Sequence, residues 1–536
     1  MTTARPAADL PTHEVTNQPV PEAGDLWAGD PALRHWAGRA GADAAALAEF
    51  GALAGTAEMR AAGRAANRHP PELRAFDRGG RRLDEVEFHP AWHRLMDLGL
   101  SAGYAAVAWE GRPGGHATHA SLVYALSQIE PGCCCPMTMT YAAVPALAAD
   151  AGLSSLWHPR LTARAYDPAP RPVADKGAAT MGMAMTEKQG GSDVRANATR
   201  ALRDGAGWRL TGHKWFCSAP MSDGFLTLAQ APGGLTCFVV PRWLPDGDRN
   251  AVHLMRLKDK LGNRANASAE IEYHGAWAEQ LGEEGDGVRT IIEMVHHTRL
   301  DTAIAPAGLM RAALAEAAWW CRGRTVFQRR LIDQPLMRAV LADLALDWEG
   351  ALALGLHVAR AFDAGERPLA RIGVALAKFH ANKRCPVVVA EAMEVLGGMG
   401  YVEDTPLPLL YREAPLNGIW EGSGNVICLD ILRSLARDTA AAAALTAELD
   451  AARGADPRYD AALADLRARW PALPPEAEAR FFAERLALLL TASVLIRGGV
   501  AAVAEGYVAT RLTGDRGMAP GTVAGLDTAA ILSRLG

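Results

Sequence analysis

Residues 417–429 read Asn-Gly-Ile-Trp-Glu-Gly-Ser-Gly-Asn-Val-Ile-Cys-Leu: two large apolar residues, a carboxylate, a glycine-rich turn, then a second apolar run. Gly422 and Gly424 allow backbone N–H groups to come close to an anionic or polar ligand edge. Glu421 sits between apolar neighbours, a setting that raises a carboxyl pKa and suits it to take a proton from a weak carbon acid. On these residues alone, a plain helix start capped by Ser423 or Asn425 is the commoner arrangement. The rest of the chain decides between the two.

At 536 residues the chain is long enough for two to four domains. Apolar content of 49% and charged content of 21% fit a globular protein, and the net charge of −5 excludes nucleic-acid binding through overall charge. Of the eight cysteines only Cys133, Cys134 and Cys135 cluster, and no Cys-x-x-Cys pair occurs. That usage points to free thiols in a reducing compartment. His89 and His93 have the i, i+4 spacing of a helical metal pair, but no third ligand lies near. Packing or capping histidines are expected, and no metal. The chain does not open with a basic segment followed by an apolar run. The apolar stretch Leu486–Ile496 is cut off by Arg497 and Gly498-Gly499, too short to span a bilayer, and reads as a buried helix. A cytoplasmic protein with no membrane association is expected.

Hydrophobic periodicity divides the chain. Residues 1–31 read as an extended lead segment. From about Pro31 to Pro145 the period is helical, as in the runs starting at Asp43 and His89, where Pro90 suits a first helical turn. Residues 208–215, 224–230, 235–240 and 269–273 are strand-like, with Pro232-Gly233-Gly234 as a turn. After Gly287 the helical period returns, with Val288, Ile291, Ile292 and Val295 on one stripe. Long segments follow at 300–320, 335–361 and 370–396, and another helical block from about 441. The expected division is 1–180 helical, 181–285 β, 286–440 a helix bundle, and 441–536 a helical extension.

Several loop segments carry chemistry in a fixed order. Met185-Thr-Glu-Lys-Gln-Gly-Gly-Ser-Asp193 offers backbone and hydroxyl donors, and Lys214-Trp-Phe-Cys-Ser218 follows it. Then come Lys260-Leu-Gly-Asn-Arg264, Leu281–Gly287, Arg324-Thr-Val-Phe327, Gln334-Pro-Leu336, Val395–Tyr401 and Ile419–Asn425. This order and spacing resemble the acyl-CoA dehydrogenase family. The longer strings, among them Leu257-Lys-Asp-Lys-Leu-Gly-Asn-Arg264, Glu391-Ala-Met-Glu-Val-Leu-Gly-Gly398 and Asn67-Arg-His-Pro-Pro-Glu-Leu73, are similar to its AidB branch. That branch is associated with the adaptive response to DNA alkylation.

The resemblance covers nearly the whole chain and is weakest after about 440. It implies an α+β, mostly α fold: an N-terminal helical domain, a central β-barrel-like domain, a C-terminal four-helix bundle and a helical extension. It implies a homotetramer with one FAD per subunit, acting on an acyl-CoA thioester or a similar small molecule. Glu421 falls at the catalytic base. Met185, Thr186, Gly191, Ser192, Phe216, Cys217 and Ser218 fall at the cofactor, as do Ile419, Trp420, Gly422, Ser423, Gly424, Asn425 and Leu429. Arg324, Gly397 and Gly398 fall where the family contacts FAD across a subunit boundary.

There are departures too. Gln328-Arg329-Arg330 stands in place of the family's Gly-x-Pro, Glu394 where many dehydrogenases have glutamine, and Trp420 where tyrosine is common. The wider Trp420 ring would narrow an acyl pocket. The branch implies double-stranded DNA as a partner through the extension, with Arg497, Arg511 and Arg516 as candidate contacts. Residues 441–536 hold ten arginines, no lysines and eleven acids, so 10 − 11 gives −1, which predicts weak phosphate affinity. Two alternatives stay open: a metabolic short- or branched-chain acyl-CoA dehydrogenase without a DNA role, and a flavin oxidoreductase or monooxygenase acting on a small molecule.

Overall fold

The structure, a computed structural model, describes residues 12, 14–20 and 23–536; the rest of the expected lead segment lies outside the described residues. Helices α1 (Pro31–Ala40), α2 (Ala44–Ala54), α3 (Ala57–Arg68), α4 (Pro90–Ser101), α5 (Gly115–Ser127), α6 (Cys134–Leu147) and α7 (Ala151–Leu161) make the first layer. Their starts are set by side-chain caps: Asp30, Asp43, Thr56 and Asp150 each accept a first-turn N–H. His89 caps α4 through its ring, and the His93 ring bonds the Tyr166 hydroxyl at 2.8 Å, so the pair does capping and packing work.

Between α3 and α4 the structure has a hairpin, β1 (Glu72–Phe76) and β2 (Arg82–Glu87), in a region expected to be helical. Its strands are short and rich in charge, so their period of two is hard to see in the sequence. Its place is fixed by Asp84, whose carboxylate accepts from the Leu254 N–H at 2.8 Å, clipping the hairpin to the next layer.

That layer holds β3 (Met181–Ala184), β4 (Arg200–Asp204), β5 (Gly207–Ser218), β6 (Gly224–Ala231), β7 (Gly234–Pro241), β8 (Val252–Leu257) and β9 (Ser268–Leu281). The strand order is β3-β6-β4-β5-β9-β7, with β8 on β9; pairing of β6 with β7 closes a ring of β6, β4, β5, β9 and β7, and leaves β3 and β8 with one partner each. Trp208, Phe225, Phe238 and Tyr273 fill the interior. One ion pair is buried there, with Lys214 Nζ 2.8 Å from Glu187 Oε1.

The bundle contains α8 (Gly287–Gly323), α9 (Pro335–Asp363), α10 (Arg367–Val395), α11 (Leu407–Glu413) and α12 (Gly424–Arg437). The stripe expected on α8 holds for Ile291 and Val295 but not for Ile292, which is 42% exposed. Between α8 and α9 the short strands β10 (Thr325–Val326) and β11 (Arg329–Arg330) form a tight hairpin where the family's Gly-x-Pro is replaced. Its two turn residues, Phe327 and Gln328, both have positive φ, a conformation that costs non-glycine residues about 1 kcal/mol or more each.

The extension comprises α13 (Thr439–Asp450), α14 (Pro457–Arg469), α15 (Ala479–Gly498), α16 (Ala501–Arg511) and α17 (Thr528–Ser533). It shares one continuous apolar core with the bundle and the first layer. Among the described residues, no helix is long and apolar enough to cross a membrane.

The three arginines expected as duplex contacts lie in this extension, each beside an internal carboxylate. Arg511 is buried, with its guanidinium ion-paired to Asp343 and to Asp347 Oδ1, the latter at 2.9 Å. Asp347 is shared with Arg384 at 2.8 Å, and Asp343 with Arg516 at 3.2 Å. Arg497, in the last turn of α15, pairs with Glu448 and complements the helix C-terminus. All three cations face carboxylates of the protein itself.

Candidate functional site

On the barrel side, the Trp215 N–H donates to the Thr186 carbonyl at 2.8 Å, bringing the Met185–Ser192 loop against the end of β5. A Cβ at Gly191 would lie 2.5 Å from the Thr186 hydroxyl, so only glycine lets this loop close as it does. Along β5, alternation leaves Phe216 51% exposed and Ser218 partly so, while the Cys217 side chain lies inside the barrel. Of the three expected cofactor residues on this strand, Cys217 thus offers only its backbone on the outer face. Lys258 stacks its ammonium over the Trp215 ring, 3.4 Å from the centroid, which sets the wall beside Phe216.

On the bundle side, Glu421 has φ +55° and is followed by Gly422 at +99°. The Thr298 hydroxyl donates to Glu421 Oε2 at 2.8 Å, and Arg299 Nε donates to the Glu421 carbonyl at 3.2 Å. Arg299 is itself anchored by Asp430 at 2.8 Å. Burial raises the Glu421 pKa above the ordinary carboxylate value, with the Thr298 hydrogen bond, Arg299 and Lys378 pulling the other way. Helix α12 does begin just after Glu421, but Ser423 makes no side-chain cap, and the Asn425 carboxamide oxygen accepts from Arg480 Nη1 at 2.7 Å. A Cβ at Gly424 would come within 3.2 Å of Lys383 Nζ and 3.4 Å of Arg480 Nη1. An uncapped helix N-terminus flanked by two cations has the donor set an anionic group needs. Ile419 is 64% exposed, Leu429 is partly buried, and the Trp420 indole N–H donates to Asn417 Oδ1 at 2.7 Å.

The remaining expected cofactor residues lie elsewhere in the same chain. Helices α8 and α10 run parallel, with Asn382 Nδ2 donating to the Thr302 carbonyl. Arg324 lies 26 residues beyond Thr298, and Gly397 lies 19 beyond Lys378. At 1.5 Å per residue those separations are about 39 Å and about 28 Å. One chain therefore does not bring Arg324, Gly397 and Gly398 to Glu421. Arg324 donates to the Asn17 carbonyl at 2.8 Å, and a Cβ at either Gly397 or Gly398 would meet no atom within 4 Å.

Several residues of the site escaped the sequence reading. Cys135 of α6 has its thiol beside Ser218 and within the field of Glu421; burial pushes its pKa up to about 12. Thr298, Arg299, Lys378 and Arg480 were missed as well. The available signal was a lone polar or charged residue inside an otherwise apolar helical stripe, as Lys378 is within Val374-Ala-Leu-Ala-Lys-Phe379. A cavity of 580 Å³ lies where the barrel meets α8, lined by Arg195, Gln230, Leu235, Val288, Arg289 and Ile292. Val288, Ile292, Val295 and Arg299 recur at helical spacing on α8, so this cavity and the Glu421 cradle share a helix face about two turns apart.

A closed barrel packed on a long-helix bundle, with a glutamate at their junction, is the architecture of the acyl-CoA dehydrogenase fold. Three family descriptions match the chain. Residues 17–168 match the adaptive response protein AidB N-terminal domain, 182–276 the acyl-CoA dehydrogenase middle domain, and 285–436 its C-terminal domain. AidB of Escherichia coli (strain K12) is 47% identical over 473 residues, covering 85% of this chain and 86% of that protein. Acyl-CoA dehydrogenase family member 11 of Caenorhabditis elegans is 34% identical over 413 residues, 73% of this chain and 66% of that one. The solved structure of Caenorhabditis elegans ACDH-11 in complex with C11-CoA superposes with a TM-score of 0.84 at 27% identity, over 98% of this chain and 97% of that one. The chain belongs to the acyl-CoA dehydrogenase family of FAD-dependent oxidoreductases, in its AidB-type branch.

Proposed function

We propose that the chain oxidises the Cα–Cβ bond of an acyl-CoA thioester with Glu421 as the base. The observation that carries this reading is the setting of Glu421: a half-buried glutamate with a raised carboxyl pKa, held by Thr298 and Arg299 at the barrel–bundle junction. Its carboxylate would take the α-proton, and the raised pKa brings its basicity closer to that task. Thr186 and Ser218 offer hydroxyls on the barrel side, while the α12 N-terminus with Lys383 and Arg480 suits the anionic part of FAD. When bound, FAD accepts the β-hydride at N5, so that loss of proton and hydride leaves a Cα=Cβ double bond. Arg195 and Arg289 at the neighbouring cavity fit the phosphates of CoA, and the CoA complex of ACDH-11 supports that class of ligand. The distance of Arg324, Gly397 and Gly398 from Glu421 supports a homo-oligomer, in this reading a tetramer, in which a second copy completes each flavin site, and the free cysteines suit a cytoplasmic location.

Anaerobic addition of a panel of acyl-CoAs to the flavin-loaded protein tests this. One thioester should bleach the flavin rapidly, and Glu421→Gln should slow bleaching by roughly 10³-fold while retaining FAD. The wild-type rate should fall with acidification at a pH above the ordinary glutamate value of about 4.3, because the carboxyl must ionise to act. A flavin that no thioester bleaches would sink the proposal.

A role in the response to DNA alkylation is the second reading, supported by the similarity to AidB over 85% of the chain. The pairing of Arg497, Arg511 and Arg516 with internal carboxylates leaves these side chains poorly placed to neutralise duplex phosphates. Duplex affinity should accordingly be weak, with a shallow dependence on salt. Tight binding that drops steeply between 50 and 200 mM salt, roughly as expected for several phosphate contacts, would restore direct duplex recognition.

A further inference from the structure

We propose that Lys378 is a positioning residue for Glu421: its ammonium gathers the carbonyls of Asn417, Trp420 and Gly422 and so fixes the backbone that aims the carboxylate. The three contacts measure 2.8, 2.9 and 2.9 Å and use every proton of the ammonium. Lys378 is 1% exposed, and among the described residues no carboxylate forms an ion pair with it. A buried lysine is ordinarily paired with an acid. Here its partners are the carbonyls of a single loop, on both sides of Glu421.

Arg299 takes the carbonyl of Glu421 itself, so residues 420, 421 and 422 each have their peptide oxygen held by a cation. Glu421 and Gly422 both have positive φ, and rotating either peptide plane back to the common region would break these bonds. Asn417, the third carbonyl, also receives the Trp420 indole N–H, which ties the ring before the base into the same set.

The clamp acts electrostatically as well. The groups facing Glu421 are Thr298 and Arg299 from α8, Lys378 from α10, and the Cys135 thiol from α6. Burial lowers the Lys378 pKa to about 7, with Glu421 working against that fall and Arg299 and Lys383 adding to it. The ammonium in turn favours the ionised form of Glu421. This role rests on the reading of Glu421 as the base, and its test is chosen to stand apart from turnover.

The full-length, FAD-loaded protein is labelled with carboxyl-¹³C glutamate, Glu421→Gln is used to assign the signal, and the Glu421 titration is followed alongside amide exchange of residues 417–422. Lys378→Met should move the Glu421 midpoint up by about one pH unit and speed exchange of the loop about tenfold. Lys378→Arg, which keeps the charge and several donors, should restore the midpoint. If the methionine variant fails to fold, Lys378→Gln should give the same upward shift. A neutral variant with an unchanged midpoint and wild-type loop protection would overturn the proposal. A wild-type flavin that no thioester bleaches, with the shift and the exchange change both present, would remove the base chemistry and leave the clamp standing.

Discussion

Arg511→Met should destabilise the protein by about 2–4 kcal/mol, because it removes the buried cation that Asp343 and Asp347 share. Burial on its own raises the pKa of Asp347, but Arg511 and then Arg384 outweigh it and hold the carboxyl well below the ordinary range. Arg384 and Arg516 remain in the variant, yet each already serves these same acids and neither reaches the place of the Arg511 fork. Asp343 would also keep the Gly521 N–H as a partner at 2.8 Å, which is too little for a charge out of water. Denaturant unfolding and amide exchange over 501–536 are the measurements. Wild-type stability, with the end of the extension still protected, would disprove the keystone role. Loss of duplex binding in such a variant would first have to be separated from loosening of the extension.

The second large effect is acid sensitivity. Burial depresses His116 to about 3, His296 to about 3, His297 to about 4 and His380 to about 4. His116 and His297 pack with Trp109, Tyr141 and Phe362 behind α8, in surroundings that offer a second proton no stable home. An unfolded histidine titrates near 6.5. As pH falls below that value the unfolded chain takes up protons the folded chain refuses, at about 1.4 kcal/mol per histidine per pH unit. The sign is opposite for Glu130, which burial raises to about 7: the folded state binds its proton first and gains stability as pH falls toward the unfolded value. Glu413 and Glu421 are raised too and work in the same direction as Glu130. The four strongly depressed histidines outweigh these carboxyls and leave a net loss of stability as pH falls from 6 to 5. Urea midpoints at pH 7.5 and 5.5 would show it, and equal midpoints would mean that the histidines accept protons in place.

The sequence exposed the order of layers because each has its own period. The strands of 224–231 and 234–241 are short, mostly apolar runs, and α9 and α10 are long alanine- and leucine-rich segments buried on every side through their middle turns. The hairpin at 72–87 stayed hidden because its stability comes from Asp84 reaching the barrel, a contact far away in sequence. The site split along the same line. Glu421 and the loops at 185–192 and 419–425 announce themselves by glycine and local chemistry. The inward turn of the Cys217 side chain was not legible because a motif names a segment, while strand alternation decides which of its side chains faces out. Thr298, Arg299 and Lys378 act at a distance of 40 residues or more from Glu421, and only packing reveals them. The arginines of the extension were candidates through the family resemblance, and sequence alone does not show that their partners lie on α9 and α13.

Arg480 joins the start of α15 to Asn425, and Arg511 joins the end of α16 to α9, with one apolar core running between them. The extension is thus no detachable cassette. A gene fusion that moved it to another scaffold would carry away a lining residue of the flavin segment and leave two acids behind. A change of charge on its solvent face would leave these ties intact, whereas a change at Arg480 or Arg511 would break them.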